Sequence, residues 1–291
     1  MNNVMLLQSA RRDEIEAIRD LLNNSEEPVD INSFDDSGNT ALMYAVENNN
    51  IELVRLLLEN GADVNIENDQ AESALHYATK EQVNLQILEL LINRGADPNL
   101  QDFMGDSPLH ISIQHNNLQF CQLLLQHGAN PNLKDGDGNE PIFISLMINQ
   151  PQILELLLQN NADPNVISDS EITPLLFLTS NLPETDITLQ LFEILLQNGA
   201  NPNLQSDGIY PITSASSNGK CQYLNLLLRN NVDIDVQDSR GNTCLHLSTR
   251  RNFPECVEVI LKHNKQIIKK KDIDGNTALH LAASLIHIEI L

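Results

Sequence analysis

Tryptophan is absent from these 291 residues, and aromatic side chains make up only 4% of them. A core without large rings must be filled by Leu, Ile, Val and Ala, which suits helices packed ridge into groove. Basic residues are also scarce: 17 Lys and Arg stand against 40 Asp and Glu, for a formal net charge of −23. That balance excludes nucleic acid or an anionic membrane as the main partner, because both require Lys and Arg to neutralise phosphate. No apolar run approaches the roughly 20 residues that span a bilayer. The start, Met1 to Leu7, has neither the basic flank nor the long apolar stretch of an export signal. The expectation is a soluble, cytoplasmic chain without membrane insertion. Four Cys without short paired spacing read as reduced thiols, not as a disulfide framework. Cys121, Cys244 and Cys256 fall at apolar helix positions and Cys221 nearer the surface.

What the chain does have is a period. Gly38-Asn39-Thr40-Ala41-Leu42 returns as Gly105-Asp106-Ser107-Pro108-Leu109, Gly241-Asn242-Thr243-Cys244-Leu245 and Gly275-Asn276-Thr277-Ala278-Leu279. The Leu or Ile of the series stands at 42, 75, 109, 142, 175, 212, 245 and 279, with gaps of 33, 34, 33, 33, 37, 33 and 34. A fixed period of this length means one supersecondary unit stacked many times. Length here counts units, and a stack of short units has a long face without one deep central cleft.

One unit, residues 35 to 68, shows how the pattern works. Asp35-Asp36-Ser37-Gly38 reads as a turn and Thr40 as a helix N-cap. Leu42, Ala45 and Val46 line a short helix. Asn48-Asn49-Asn50 interrupts the pattern, and Leu53, Val54, Leu56, Leu57 and Leu58 build a more apolar second helix. Gly61 follows in the left-handed position that ends a helix. Its counterparts are Gly95, Gly128, Asn161, Gly199, Asn231 and Asn264, and Asn is the residue other than Gly that best tolerates that conformation. Pro151 and Pro254 fall in the first turn of second helices, where a missing N–H is harmless. Leu57, Leu90, Leu124, Leu157, Leu195, Leu227 and Ile260 are expected to form a buried row along the second helices.

These features resemble the ankyrin repeat, most closely at Ser107-Pro108-Leu109-His110, Thr277-Ala278-Leu279-His280 and Gly61-Ala62-Asp63-Val64-Asn65. The resemblance covers essentially the whole chain. It implies an all-α solenoid of helix-turn-helix units with β-hairpin loops. Residues 1–34 would form an N-terminal capping repeat, 35–269 seven full repeats and 270–291 a truncated further one. Since the alignment ends inside a second helix, the parent polypeptide is expected to continue past Leu291.

His76, His110, His246 and His280 recur at one repeat position, where the resemblance implies a structural role in bonding backbone between neighbouring units. His115, His127, His263 and His287 form no ligand cluster. No catalytic signature, metal set or cofactor motif is present, so the expected function is a non-enzymatic scaffold, monomeric, binding a protein partner of unknown identity. The resemblance implies that a partner is held by hairpin tips and the exposed side of the first helix, the concave face. Mapped onto this chain, those positions are Phe103, Met104, His115, Met147, Ile148, Ile172 and Ile209, flanked by Arg250 and Arg251. Large apolar side chains there, with a polar rim, suggest an interface.

Residues 240–271 carry eight basic side chains against Glu255 and Glu258, +6 locally, which leaves −29 for the remainder. This is read as a solvated face, or as a site for an acidic partner. An insertion at Ser180 to Ile187 must project from one edge of the stack, as loop drift or as an added contact finger. The resemblance also implies Asn65 as a target for asparaginyl hydroxylation, since Leu57, Asp63 and Val64 have the spacing such sites show. Pro98 and Pro164 disturb the equivalent sites. An alternative function is the targeting arm of a larger enzyme or secreted bacterial effector. The Asn/Gln-rich, Lys-poor loops are similar to those of ankyrin proteins from intracellular bacteria, which would place the chain in a host cytosol.

Overall fold

A computed structural model describes residues 1–80, 83–285, 287 and 289–290. Helices follow one another in the order the period predicts. The first of two compact units comprises Met1–Ile148 with Gln159–Ala162. It contains α1 (Asn2–Arg11), α2 (Ile15–Asn24), α3 (Ala41–Glu47), α4 (Ile51–Glu59), α5 (Ala74–Ala78), α6 (Leu85–Asn93), α7 (Pro108–Gln114), α8 (Leu118–Gln126) and α9 (Pro141–Met147). The second unit comprises Asn149–Leu158 with Asp163–Leu291. It contains nearly all of α10 (Pro151–Gln159), then α11 (Pro174–Asn181), α12 (Asp186–Gln197), α13 (Pro211–Ser217), α14 (Cys221–Arg229), α15 (Cys244–Arg250) and α16 (Pro254–His263). A 3-10 helix, Lys265–Lys269, and α17 (Ala278–Leu285) complete it.

Each unit has two helical layers. In the first, α1, α3, α5, α7 and α9 pack in series, and α2, α4, α6 and α8 form a second row. In the second unit α11, α13, α15 and α17 form one row and α12, α14 and α16 the other. The first-layer helices run mostly to seven residues, too short to persist alone in water. They exist because neighbours enclose them: every residue from Pro141 to Leu146 and from Pro211 to Ser216 is buried. Leu57 and Leu124 in the first unit are fully buried, as are Leu157, Leu195, Leu227 and Ile260 in the second.

The repeat expectations need four corrections. Leu90 is only half-buried, and Leu91 occupies the core position instead. The register places Leu57 and its counterpart 34 residues apart here, not 33. Gly61, Gly95, Gly128, Asn161, Gly199 and Asn231 do take positive φ, but Asn264 sits at φ −143°. Its side chain instead accepts the Gln266 N–H at 2.9 Å, opening the 3-10 helix directly. The predicted β-hairpins are tight turns. Among the described residues the only bridges are the isolated pairs Phe34–Thr40 and Ser206–Ile209. Cys221 and Cys256 are joined as a disulfide between α14 and α16, so the four-thiol reading holds only for Cys121 and Cys244. Burial pushes both of those thiols up to about 12. At the far end Leu279 is half-exposed, unlike its buried counterparts upstream, and Leu285 is exposed as well. Of the expected final helix, Ile286, Ile288 and Leu291 lie outside the described residues.

Candidate functional site

The turns are built by side chains that replace a strand ladder. Asp35 accepts the backbone N–H of Ser37 and of Asn39, each at 3.0 Å. Asp102 does the same for Met104 and Asp106, and Asp135 for Asp137 and Asn139. An Asp or Asn that bonds its own backbone two and four residues on closes a turn without a partner strand. Successive tips are then tied through the main chain. In the first unit Asp69 N–H donates to Ser37 O at 3.1 Å, Phe103 N–H to Gln70 O at 2.8 Å and Gly136 N–H to Met104 O at 2.9 Å. This approach is close enough to require glycine. Gly105 has φ +78°, and a Cβ there would lie 2.3 Å from Gly136 N.

A second set of ties runs lower in each repeat. The Asn65 amide donates to Gly95 O at 3.0 Å while its oxygen accepts Asp97 N–H at 2.8 Å. Asn99 repeats this with Gly128 and Asn130, and Asn165 and Asn203 do so in the second unit. Asn65, the hydroxylation candidate, thus spends its whole side chain bracing the next repeat.

The recurring histidines are structural in the same sense. His76 Nδ1 accepts the Ser73 N–H at 3.0 Å, and Nε2 lies 3.2 Å from Asp106 O. His110 spans Ser107 and Leu133 O, and His246 spans Thr243 and Asn276 O. An Nδ1 that accepts a backbone N–H leaves the proton on Nε2, so the ring is neutral. Burial is the main cause holding all three below their ordinary value of 6.5. Among the described residues no group of three or more His, Cys, Asp or Glu is placed to hold a metal ion.

Of the predicted partner-binding residues in the first unit, Phe103 and Met104 stand at a turn tip, 80% and 68% exposed. Met147, the last residue of α9, is 44% exposed, and Ile148 caps that helix half-buried. His115 caps α7 and is exposed. In the second unit Ile172 and Ile209 meet at a shallow depression of about 230 Å³, with Ser180 and Leu176 in its wall. Arg251 is exposed. Arg250 turns inward: its guanidinium donates to Asn242 Oδ1 at 3.1 Å and lies 3.9 Å from the buried carboxylate of Asp272. Within the basic stretch, Lys262 pairs with Glu258 at 2.7 Å and Lys270 with Asp235 at 3.3 Å.

The insertion carries a structural role that sequence reasoning missed. The second helices α4, α6 and α8 are capped by the side chains of Asn50, Asn84 and Asn117. At α14 the cap residue is Lys220, which makes no such bond. Glu184, from the insertion, takes its place: its carboxylate accepts Gln222 N–H at 2.9 Å and Tyr223 N–H at 2.8 Å. Lys220 reaches back and donates to Leu178 O at 3.1 Å and to Leu182 O. The signal for this exchange was a lysine standing where α4, α6 and α8 have asparagine.

Paired helices at a period of about 33, joined by stacked turns and bridging Asn and His side chains, define a repeat protein built to present a surface. Models described as ankyrin repeats match residues 75–168, 184–271 and 212–291 in a three-copy form and 22–78 in a many-copy form. The chain belongs to the ankyrin repeat family. Ankyrin repeats typically bind proteins and are generally without catalytic chemistry. Similar proteins include Potassium channel AKT2/3 of Arabidopsis thaliana, 38% identical over 74 residues, which is 25% of this chain and 9% of that one. Human Ankyrin repeat and SOCS box protein 3 is 34% identical over 79 residues, 26% of this chain and 15% of that one. Human Notch-regulated ankyrin repeat-containing protein is 38% identical over 72 residues, 24% and 63%. Each match spans less than two thirds of the relative. Among the described residues no helix is long and apolar enough to cross a membrane.

Proposed function

We propose that this chain is a non-enzymatic scaffold, working as a monomer in the cytoplasm, that binds a protein partner on the concave side formed by turn tips and first-helix ends. The observation that carries this is the exposure of Phe103 and Met104 on a turn tied to both neighbouring tips through the Phe103 N–H and the Met104 carbonyl. Side chains at that tip can join no core, so water is their only contact until a partner covers them. Met147 and Ile148 in the first unit, and Ile172 and Ile209 in the second, offer further apolar contacts, with His115 and Arg251 at the rim. Arg250 contributes through the position of its neighbours, since its own charge is spent on Asn242 and Asp272. Residues 1–34 serve as the cap of the array. Asn65 is a modification site whose hydroxylation requires local opening of the bonds it makes; mass spectrometry after exposure to an asparaginyl hydroxylase, showing added oxygen on that peptide, tests it.

Replacing Met147 and Ile148 by Glu should weaken partner capture at least tenfold, about 1.4 kcal/mol, with circular dichroism and melting nearly unchanged. Quantitative pull-down with wild type and variant side by side measures this. Equal capture by the two would move the site elsewhere. A second reading is favoured by the relatives: the matched stretch is only 9% of the channel and 15% of the SOCS box protein, so segments similar to this one occur within longer proteins. The chain would then recruit targets for an enzyme or secreted effector beyond residue 291, in a host cytosol. The full open reading frame decides between the two.

A further inference from the structure

We infer that the turn-tip surface of the first unit takes a basic segment anchored by apolar side chains: one or two large aliphatic or aromatic residues flanked by Lys or Arg. This rests on the scaffold reading and narrows its partner class. The main-chain bonds from tip to tip fix the order of the exposed groups. Asp69 lies on the tip before Phe103 and Met104, and Asp137 on the tip after them. Both carboxylates are exposed, so an apolar pair sits between two acidic shoulders. No Lys or Arg occurs in the tip segments 36–38, 69–71, 102–105 or 135–138. The nearby cations are already engaged, Lys80 with Glu72 at 2.9 Å and Lys134 with Glu140 at 3.6 Å.

The crowding of negative charge registers on a neighbouring group. Burial first, then the like charges of Asp102, Asp135 and Asp137, hold the Asp106 carboxyl above its ordinary range, against a hydrogen bond from Gln114. Carboxylates gathered this way repel one another, and a partner's ammonium or guanidinium groups relieve that repulsion. The Phe103 ring adds a face over which a guanidinium can stack. An acidic peptide would increase the repulsion, and so would nucleic acid. Desolvation of Phe103 and Met104 supplies affinity at the centre, while the flanking acids select the sign of the partner's charge.

The test is selection of a displayed random 12-residue peptide library on the full chain. Parallel selections use Phe103→Glu/Met104→Glu and Asp69→Asn/Asp137→Asn, each checked for native helicity by circular dichroism. Enriched peptides should carry Lys or Arg beside one or two large apolar residues. They should lose binding to the Phe103→Glu/Met104→Glu chain and weaken by about fivefold on neutralising Asp69 and Asp137, with a shallower salt dependence. Peptides that depend on Phe103 and Met104 but lack basic residues, or ignore the Asn variant, overturn this inference and leave the scaffold reading standing. Peptides indifferent to both variants, or no enrichment, overturn the tip assignment itself.

Discussion

His76, His110 and His246 are the residues through which solution pH reaches the fold. Each is neutral because Nδ1 accepts a backbone N–H and because burial penalises the charged ring. In the unfolded chain the same rings take a proton near 6.5. The folded state resists that proton, so the stabilisation is fully present above about 6.5 and is lost as pH falls through the lower folded values. Melting temperature should therefore drop between pH 7.5 and 5.5, before most carboxylates titrate. His110→Gln should flatten that slope while lowering stability at pH 7.5. A wild-type melting temperature unchanged across this range would show that the rings are not held neutral. The bridging Asn residues work by the same economy of partners, but they do not titrate and should leave the slope alone.

Helix α6 offers a direct test of register. Leu91 is fully buried, whereas Leu90, its neighbour by one residue, is half-exposed. Truncating Leu91 to Ala should cost about 2–5 kcal/mol, in line with other buried leucines. Leu90→Ala should cost a clearly smaller amount, since less of its surface leaves water. Urea denaturation of the two variants makes the comparison, and equal losses would contradict the register.

Helix α14 tests the insertion. With Lys220 in the cap position, its first N–H groups depend on Glu184. Glu184→Ala should destabilise the chain by about 1 kcal/mol, the ordinary scale of a lost helix cap. Lys220→Asn in that background should restore part of it, because asparagine caps the equivalent helices locally. If Glu184→Ala melts like wild type, the insertion is a passive loop after all.

For the molecule as a whole, the Cys221–Cys256 bridge links second-layer helices of adjacent repeats across 35 residues of sequence. Closing a loop of that length removes unfolded-state entropy worth about 3–4 kcal/mol in the chain-entropy account. Stability in an array is a sum of repeat and neighbour contributions, so the effect should concentrate near the bridge. Hydrogen exchange with and without a dithiol reductant should show protection falling in α14 and α16 while α3 to α8 stay as they were. A uniform loss over the chain would argue against a local staple. The exposed tip variants probe a different property, since they should change binding and leave exchange untouched.

The succession of paired helices, the turn at each Gly-Asn-Thr or Gly-Asp-Ser and most of the buried Leu and Ile series were legible from the period, and the histidine role from the resemblance it supports. They are local or nearest-neighbour features, and a period repeats whatever local constraint produces it. The misplacement of Leu90 comes from applying a uniform 33-residue step where the series itself has a 34-residue gap, from 75 to 109. What the tertiary structure decided lies between positions that break the period. Glu184 finds the end of α14 only because the insertion folds back, Arg250 is turned inward by Asp272, and Cys221 meets Cys256 because residues about one period apart become spatial neighbours. Sequence also shows Asp69, Phe103 and Asp137 as separate loop residues. Only the stacking of tips, set by backbone hydrogen bonds that no side-chain pattern encodes, puts the two acids on either side of the ring.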